Sequence, residues 1–202
     1  AAAINCGDEG GEFGDDLRTS PTVSMSSSAK KESSASINTL LATAPIGEQV
    51  SPDSEESKHG ERVHRLLQFM APPAPKAEKT WLRQLLRCDD EQFDKAFATA
   101  ERVLASTSLT RFFDEAQYQS AANEMSIMIK GELSRIDRVV EFSDEIWVLD
   151  YKTTDFVDSR ELADRYRAQL KEYCDGIVAL SPNKSVRAAL VIGDGQLLPI
   201  NV

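Results

Sequence analysis

The 202-residue chain has an ordinary apolar fraction of 41%, a net charge of −10 and length for one domain with a real core plus extensions. Residues 1–60 carry −6 of that charge and residues 61–202 only −4, so the acidic surface gives no general attraction for nucleic acid. No run approaches the ~18 apolar residues of a membrane span, and the N-terminus lacks the basic and apolar regions of a secretory signal.

The chain opens without Met, as expected of a fragment of a longer protein. Residues 1–58 are rich in Ser, Gly, Asp and Glu, with "SMSSSAKKESSAS" as the plainest biased run. They are expected to form a flexible linker ahead of a folded domain at 59–202. "GERVHRLLQFM" places Val63, Leu66, Leu67 and Met70 at helical spacing, and "APPAPK" ends that helix. "AEKTWLRQLLR" reads as a second helix and "CDDEQFDKAFATAERVLAST" as a third, capped by Asp89 or Asp90. "SLTRFFDEA" adds one more turn.

The period then changes. "EMSIMIK", "LSRIDRVVEF" and "DEIWVLDYK" are strands joined by short breaks at Lys130-Gly131-Glu132 and Ser143-Asp144, which makes an antiparallel meander. "SRELADRYRAQLKEYCDGIVALS" is an amphipathic helix with Leu162, Tyr166, Leu170, Tyr173 and Ile177 on one side. "SVRAALVIG" and "QLLPIN" close the chain as strands. The order gives an α/β fold of αβββαβ type, a mixed sheet flanked by helices with extra helices at its N-terminal side.

Counting outward from the Ser143-Asp144 turn sets Asp137 opposite Asp150 on neighbouring strands. Opposed carboxylates repel unless a cation sits between them, and Mg2+ prefers oxygen ligands of this kind. Strand alternation puts Lys152 on the Asp150 face, where it can help deprotonate an attacking water and offset phosphate charge. The Tyr151 backbone carbonyl offers a further oxygen. Cys6, Cys88 and Cys174 have no C-x-x-C spacing, which fits a reducing cytosol and leaves too few thiolates for a four-cysteine cluster or zinc site.

The ordered set Gly60-x-x-x-His64-x-x-Leu67, Ile136-Asp137, Asp150-Tyr151-Lys152-Thr153 and Gln169-x-x-x-Tyr173 resembles the PD-(D/E)XK nuclease superfamily. The pattern is similar to that of the RecB-type branch, found at the C-terminus of UvrD-like helicase–nucleases. The resemblance implies a Mg2+-dependent deoxyribonuclease, with Mn2+ as a substitute ion and no iron–sulfur cluster. By the same resemblance His64, Asp137, Asp150 and the Tyr151 carbonyl hold the metal, and Lys152 is catalytic. Gln169 and Tyr173 order the site or the DNA strand. The implied setting is bacterial and cytoplasmic, in double-strand-break repair. Implied partners are single-stranded DNA ends, a helicase domain in the same full-length chain and a second helicase–nuclease subunit. Ser134 and Gln68 depart from the branch pattern, which has Gly and Glu there.

Each motif alone has a plainer reading. His64 can be a partly buried helix residue, Asp137 a surface partner of Arg135 or Arg138, and Gln169 and Tyr173 an ordinary helix face. Glu124 reads as structural, just before the first strand. Arg65, Lys152, Arg165, Arg167 and Lys171 supply bases for a single strand. Two rivals stand beside the nuclease: a catalytically inactive module of the same fold for DNA binding or protein interaction, and an unrelated interaction domain whose acids are merely solvated.

Overall fold

The computed structural model describes residues 54–153, 158–193 and 195–202. The expected flexibility of residues 1–53 lies outside them. Helix α1 (Glu55–Met70) begins earlier than its apolar spacing suggests, and crosses the expected boundary after residue 58. The cause is local: the Ser54 hydroxyl accepts the Ser57 N–H at 3.1 Å, and Glu55 and Glu56 face the positive end of the helix dipole. Gly60 therefore sits inside α1 rather than at its start. Val63, Leu66 and Leu67 are buried, each side chain contributing roughly 1.5–3 kcal/mol.

Helix α2 (Lys79–Leu86) ends on Arg87 in the left-handed conformation (φ 50). Helix α3 (Asp90–Ala105) is capped by Asp89, which accepts the Gln92 N–H at 2.8 Å. A 3-10 turn, Thr107–Leu109, runs into the short α4 (Thr110–Phe113). Strands β1 (Ser120–Ile129), β2 (Glu132–Glu141) and β3 (Glu145–Lys152) form the meander. Then follow α5 (Ser159–Leu180), β4 (Ser185–Ile192) and β5 (Gln196–Ile200). The sheet order is β1-β2-β3-β4-β5, parallel only between β3 and β4, where α5 makes the crossover a parallel pair requires. This is the expected mixed α/β fold.

Two cores cover the two sheet faces. Helices α1 to α4 pack over Val140, Trp147, Leu149 and Tyr151, while α5 packs over Val139, Ile146, Val148 and Leu190. Consecutive β3 residues thus serve opposite layers, which is why "IWVL" is apolar without a break. Lys130 (φ 51) and Gly131 (φ 88) are both left-handed, the geometry of a two-residue hairpin turn whose twist matches its strands.

The β2–β3 register is the one counted from the sequence: Arg138 pairs with Leu149 and Glu141 with Ile146. One step further the ladder stops. On β2, Ile136 packs under α5, whereas Arg138 reaches into the opposite layer. On β1, Ala121 faces the α1 to α4 layer, whereas Met125 and Ile127 face α5. Both strands change faces at one level, where Glu124 (φ 54) stands across from Asp137.

Arg138 corrects the surface reading of the Asp137 neighbourhood. It is fully buried, donating from Nε and Nη2 to Phe112 O (3.0 and 2.6 Å) and from Nη1 to Pro72 O (2.6 Å) and Asn123. It ties α4 and the end of α1 to the sheet. Arg135 is exposed and pairs with Glu124 at 3.2 Å, so among the described residues neither arginine forms an ion pair with Asp137.

Candidate functional site

The apolar centre of β3 anchors the strand, and its last three residues, still paired with β4, run past the end of the β2 ladder. Asp150 and Lys152 share a face, with Lys152 Nζ 2.5 Å from Asp150 Oδ2. The contact is a close ion pair, and Lys152 is the partner of the buried Oδ2 among the described residues. Tyr151 points the other way into the α1 to α4 core, leaving its backbone free to face the site.

Where the ladder stops, the Asp137 carboxylate replaces it. Its Oδ2 accepts the Tyr151 N–H at 2.8 Å, so one side chain does the work of a strand carbonyl. His64 arrives from α1 on the same spot. Its Nε2 lies 2.7 Å from Tyr151 O and its Nδ1 3.5 Å from Asp137 Oδ2. Gly60, one turn earlier, lets α1 come this close: a Cβ there would stand 3.0 Å from Thr153 Oγ1, tighter than ordinary contact. The glycine and histidine of the motif are therefore one device, close approach followed by a side chain that uses it.

Each carboxylate is held by a protein cation. Burial opposes charge on His64, but the hydrogen bond and charge of Asp137 outweigh it and raise the imidazole above its ordinary value. Burial likewise works against ionised Asp137, yet His64 and the Tyr151 N–H bring it below the usual range. Asp150 goes the other way. Burial, helped by the Asp137 charge, raises it despite Lys152. Lys152 is desolvated but held above its ordinary value by Asp150 and Asp137. Its ammonium also lies 4.3 Å from the Tyr166 ring centroid on α5. In this arrangement the Lys152 ammonium stays charged beside Asp150.

The opposed carboxylates thus have the cations their repulsion demands, and those cations are His64 and Lys152. Among the described residues no three His, Cys, Asp or Glu side chains enclose one metal-sized hole. The donor set still fits a divalent ion. Asp150 is a buried carboxylate with one cation beside it, Asp137 adds a second carboxylate, and Tyr151 O and His64 Nε2 lie next to both.

Gln169 and Tyr173 meet each other, Gln169 Nε2 donating to Tyr173 OH at 2.7 Å. Among the described residues no hydrogen bond or ion pair joins them to His64, Asp137, Asp150 or Lys152. The contact from α5 to the site is Tyr166, which helical spacing alone assigns to the packing side. Glu124, expected to be structural and to precede the strand, lies within β1 opposite Asp137, and its charge reaches the buried Tyr151 hydroxyl. A strand acid in a left-handed backbone leaves no mark in the period of its neighbours. The expected basic set is largely occupied. Arg65 bonds Gln68, Arg165 pairs with Glu161, Arg167 with Asp164, and Lys171 with Asp175.

The sequence profile of the PD-(D/E)XK nuclease superfamily matches residues 40–196, well over half the chain. The chain belongs to the PD-(D/E)XK nuclease superfamily. No curated protein matches it significantly. Members of this superfamily are generally nucleases, hydrolases that typically use divalent metal ions, and the mixed five-stranded sheet with helices on both faces is consistent with their fold. Among the described residues no helix is long and apolar enough to cross a membrane.

Proposed function

We propose that the chain is the metal-dependent DNA exonuclease domain of a helicase–nuclease acting in double-strand-break repair. The observation that carries the reading is the convergence of His64, Asp137, Asp150, the Tyr151 carbonyl and Lys152 where the β2–β3 ladder stops. The RecB-type order of the motifs supports the helicase setting, the second subunit and the bacterial cytoplasm.

Asp137, Asp150, Tyr151 O and His64 Nε2 would hold Mg2+ or Mn2+. Such an ion supplies positive charge against a phosphate and makes water more acidic. Asp137 keeps the end of β3 in place through the Tyr151 N–H while presenting its carboxylate to the site. Lys152 holds an ammonium where charge builds on the phosphate, and the Tyr166 ring limits its swing. Gln169 and Tyr173 stiffen the α5 segment that carries Tyr166.

The catalytically inactive module is the second reading. It draws on the mutual neutralisation of carboxylates and protein cations. Cleavage of end-labelled single-stranded DNA with Mg2+ or Mn2+ separates the two, using wild type, Asp150→Ala and Lys152→Ala. The nuclease reading expects cleavage by wild type and losses of ~100-fold or more in both variants. Equal rates in all three sink it, and a folded but inert wild type favours the module.

A further inference from the structure

The Lys152 ammonium has two neighbours of different kinds. Asp150 Oδ2 lies 2.5 Å away on the same strand, and the Tyr166 ring centroid lies 4.3 Å away on α5. The lysine side chain is 17% exposed, so these contacts replace most of its water. Tyr166 is half-buried in the apolar stripe of α5, between the fully buried Leu162 and Leu170 one turn to either side. A leucine would serve that stripe equally well. The Tyr166 hydroxyl makes no hydrogen bond among the described residues, so what the residue offers Lys152 is its ring. A ring face carries a negative potential that attracts an ammonium, which no aliphatic side chain supplies.

The two contacts differ in what competes for them. Asp150 also belongs to the candidate metal site, and a cation taken up by its carboxylate weakens its hold on Lys152 and repels the ammonium. Tyr166 keeps its attraction whatever Asp150 binds. The contacts also differ in what they anchor. Asp150 stands two residues before Lys152 and ties it only to its own strand, whereas Tyr166 ties it to a second element. Lys152 is the last residue of β3, and its flexible four-carbon stem gains rotamer freedom wherever a contact is lost.

We propose that Tyr166 is a positioning residue whose ring keeps the Lys152 ammonium aimed at the site while the charge of Asp150 is engaged elsewhere. The proposal rests on the nuclease reading of that site. Tyr166 acts through Lys152 and needs no contact with the nucleic acid. Because the ring and not the hydroxyl is the working part, phenylalanine can replace it and an aliphatic residue cannot. The molecule carries its own reference for such a contact: the Lys79 ammonium on α2 lies 4.4 Å from the Phe97 ring centroid on α3.

The test is NMR of the whole 202-residue chain carrying isotope-labelled lysine, in EDTA, with Lys152→Arg to assign the signal. The ring current should place the Lys152 ε-methylene protons upfield of those of an exposed lysine, as it should for Lys79. Tyr166→Leu should remove the displacement at Lys152 and leave that at Lys79, and Tyr166→Phe should keep both. Tyr166→Met repeats the loss with an unbranched side chain, in case the leucine variant does not fold. In Asp150→Asn the displacement should persist, and adding Tyr166→Leu should abolish it. In cleavage of single-stranded DNA with Mn2+, Tyr166→Leu should lower kcat ~10-fold with KM within about twofold, and Tyr166→Phe should recover most of the loss. A displacement that survives Tyr166→Leu, or one that disappears in Asp150→Asn alone, overturns the positioning role while wild-type cleavage still stands. Equal kcat in Tyr166→Phe and Tyr166→Leu overturns it too. A wild type that shows the displacement but does not cut overturns the nuclease reading and this role together.

Discussion

Glu145 and Asp150 are acids on one strand, five residues apart, with side chains 13% and 7% exposed. At the first end, Glu145 takes Arg111 Nη2 at 2.7 Å and Arg187 Nε at 3.0 Å. Burial works against its charge, but the two guanidiniums beside it lower its pKa. At the second end, Asp150 has Lys152 as its one cation among the described residues, against two guanidiniums at Glu145, and burial with the charge of Asp137 raises it. The first acid is satisfied by the fold. The second is left with a need that the fold meets only in part, and such groups gather where chemistry is done.

Neutralising each acid in turn separates the two ends of β3. Asp150→Asn should reduce DNA cleavage ~100-fold or more while the metal-free melting point changes little. Glu145→Gln should leave cleavage unchanged and cost about 1 kcal/mol, a Tm decrease of about 2–4 °C. Loss of cleavage from Glu145→Gln, or none from Asp150→Asn, removes the distinction.

A smaller effect is expected at Gly60. Gly60→Ala favours the helix by up to ~1 kcal/mol but forces α1 or Thr153 aside, moving His64 from Tyr151 O. Cleavage should fall ~10-fold, and Thr153→Ala in the same chain should restore much of it. An unchanged rate in the single variant shows that close approach is not what the glycine provides.

The pH dependence is the gentlest probe. His64 is raised, so its contribution is complete below its ordinary 6.5 and fades as pH rises through the folded value. Asp137 is lowered, so its contribution is complete above its ordinary 3.8 and fades as pH falls through the folded value. In EDTA, the stability of wild type over Asp137→Asn should therefore be greatest between those two values and shrink on both sides. Melting curves across pH measure it, and a flat difference contradicts the pairing.

Much of this end of the molecule was legible in the sequence. The short breaks placed the hairpins, and counting from Ser143-Asp144 gave the observed register as far as Arg138 and Leu149, one step short of Asp137 and Asp150. Alternation alone put Lys152 beside Asp150. What stayed hidden depends on departures from regular structure. The change of faces at Glu124 and Asp137 rests on one left-handed residue, and hydropathy does not report it. Arg138 looks like any surface arginine until carbonyls from two distant helix ends are brought to it. Tyr166 fits an apolar helix stripe equally well whether it meets a leucine or an ammonium. Serine as a cap for α1 was readable in principle, but Gly60 drew the expected start five residues too late.

On the nuclease reading, His64 and Lys152 supply the positive charge that a divalent ion would supply between Asp137 and Asp150. Titration with Mn2+, followed by calorimetry and by broadening of the His64 imidazole NMR signals, tests it most directly. Saturable binding in wild type that broadens His64 and is lost in both Asp137→Asn and Asp150→Asn is the expected result. Binding that is absent from the folded wild type, or unchanged by both substitutions, contradicts it.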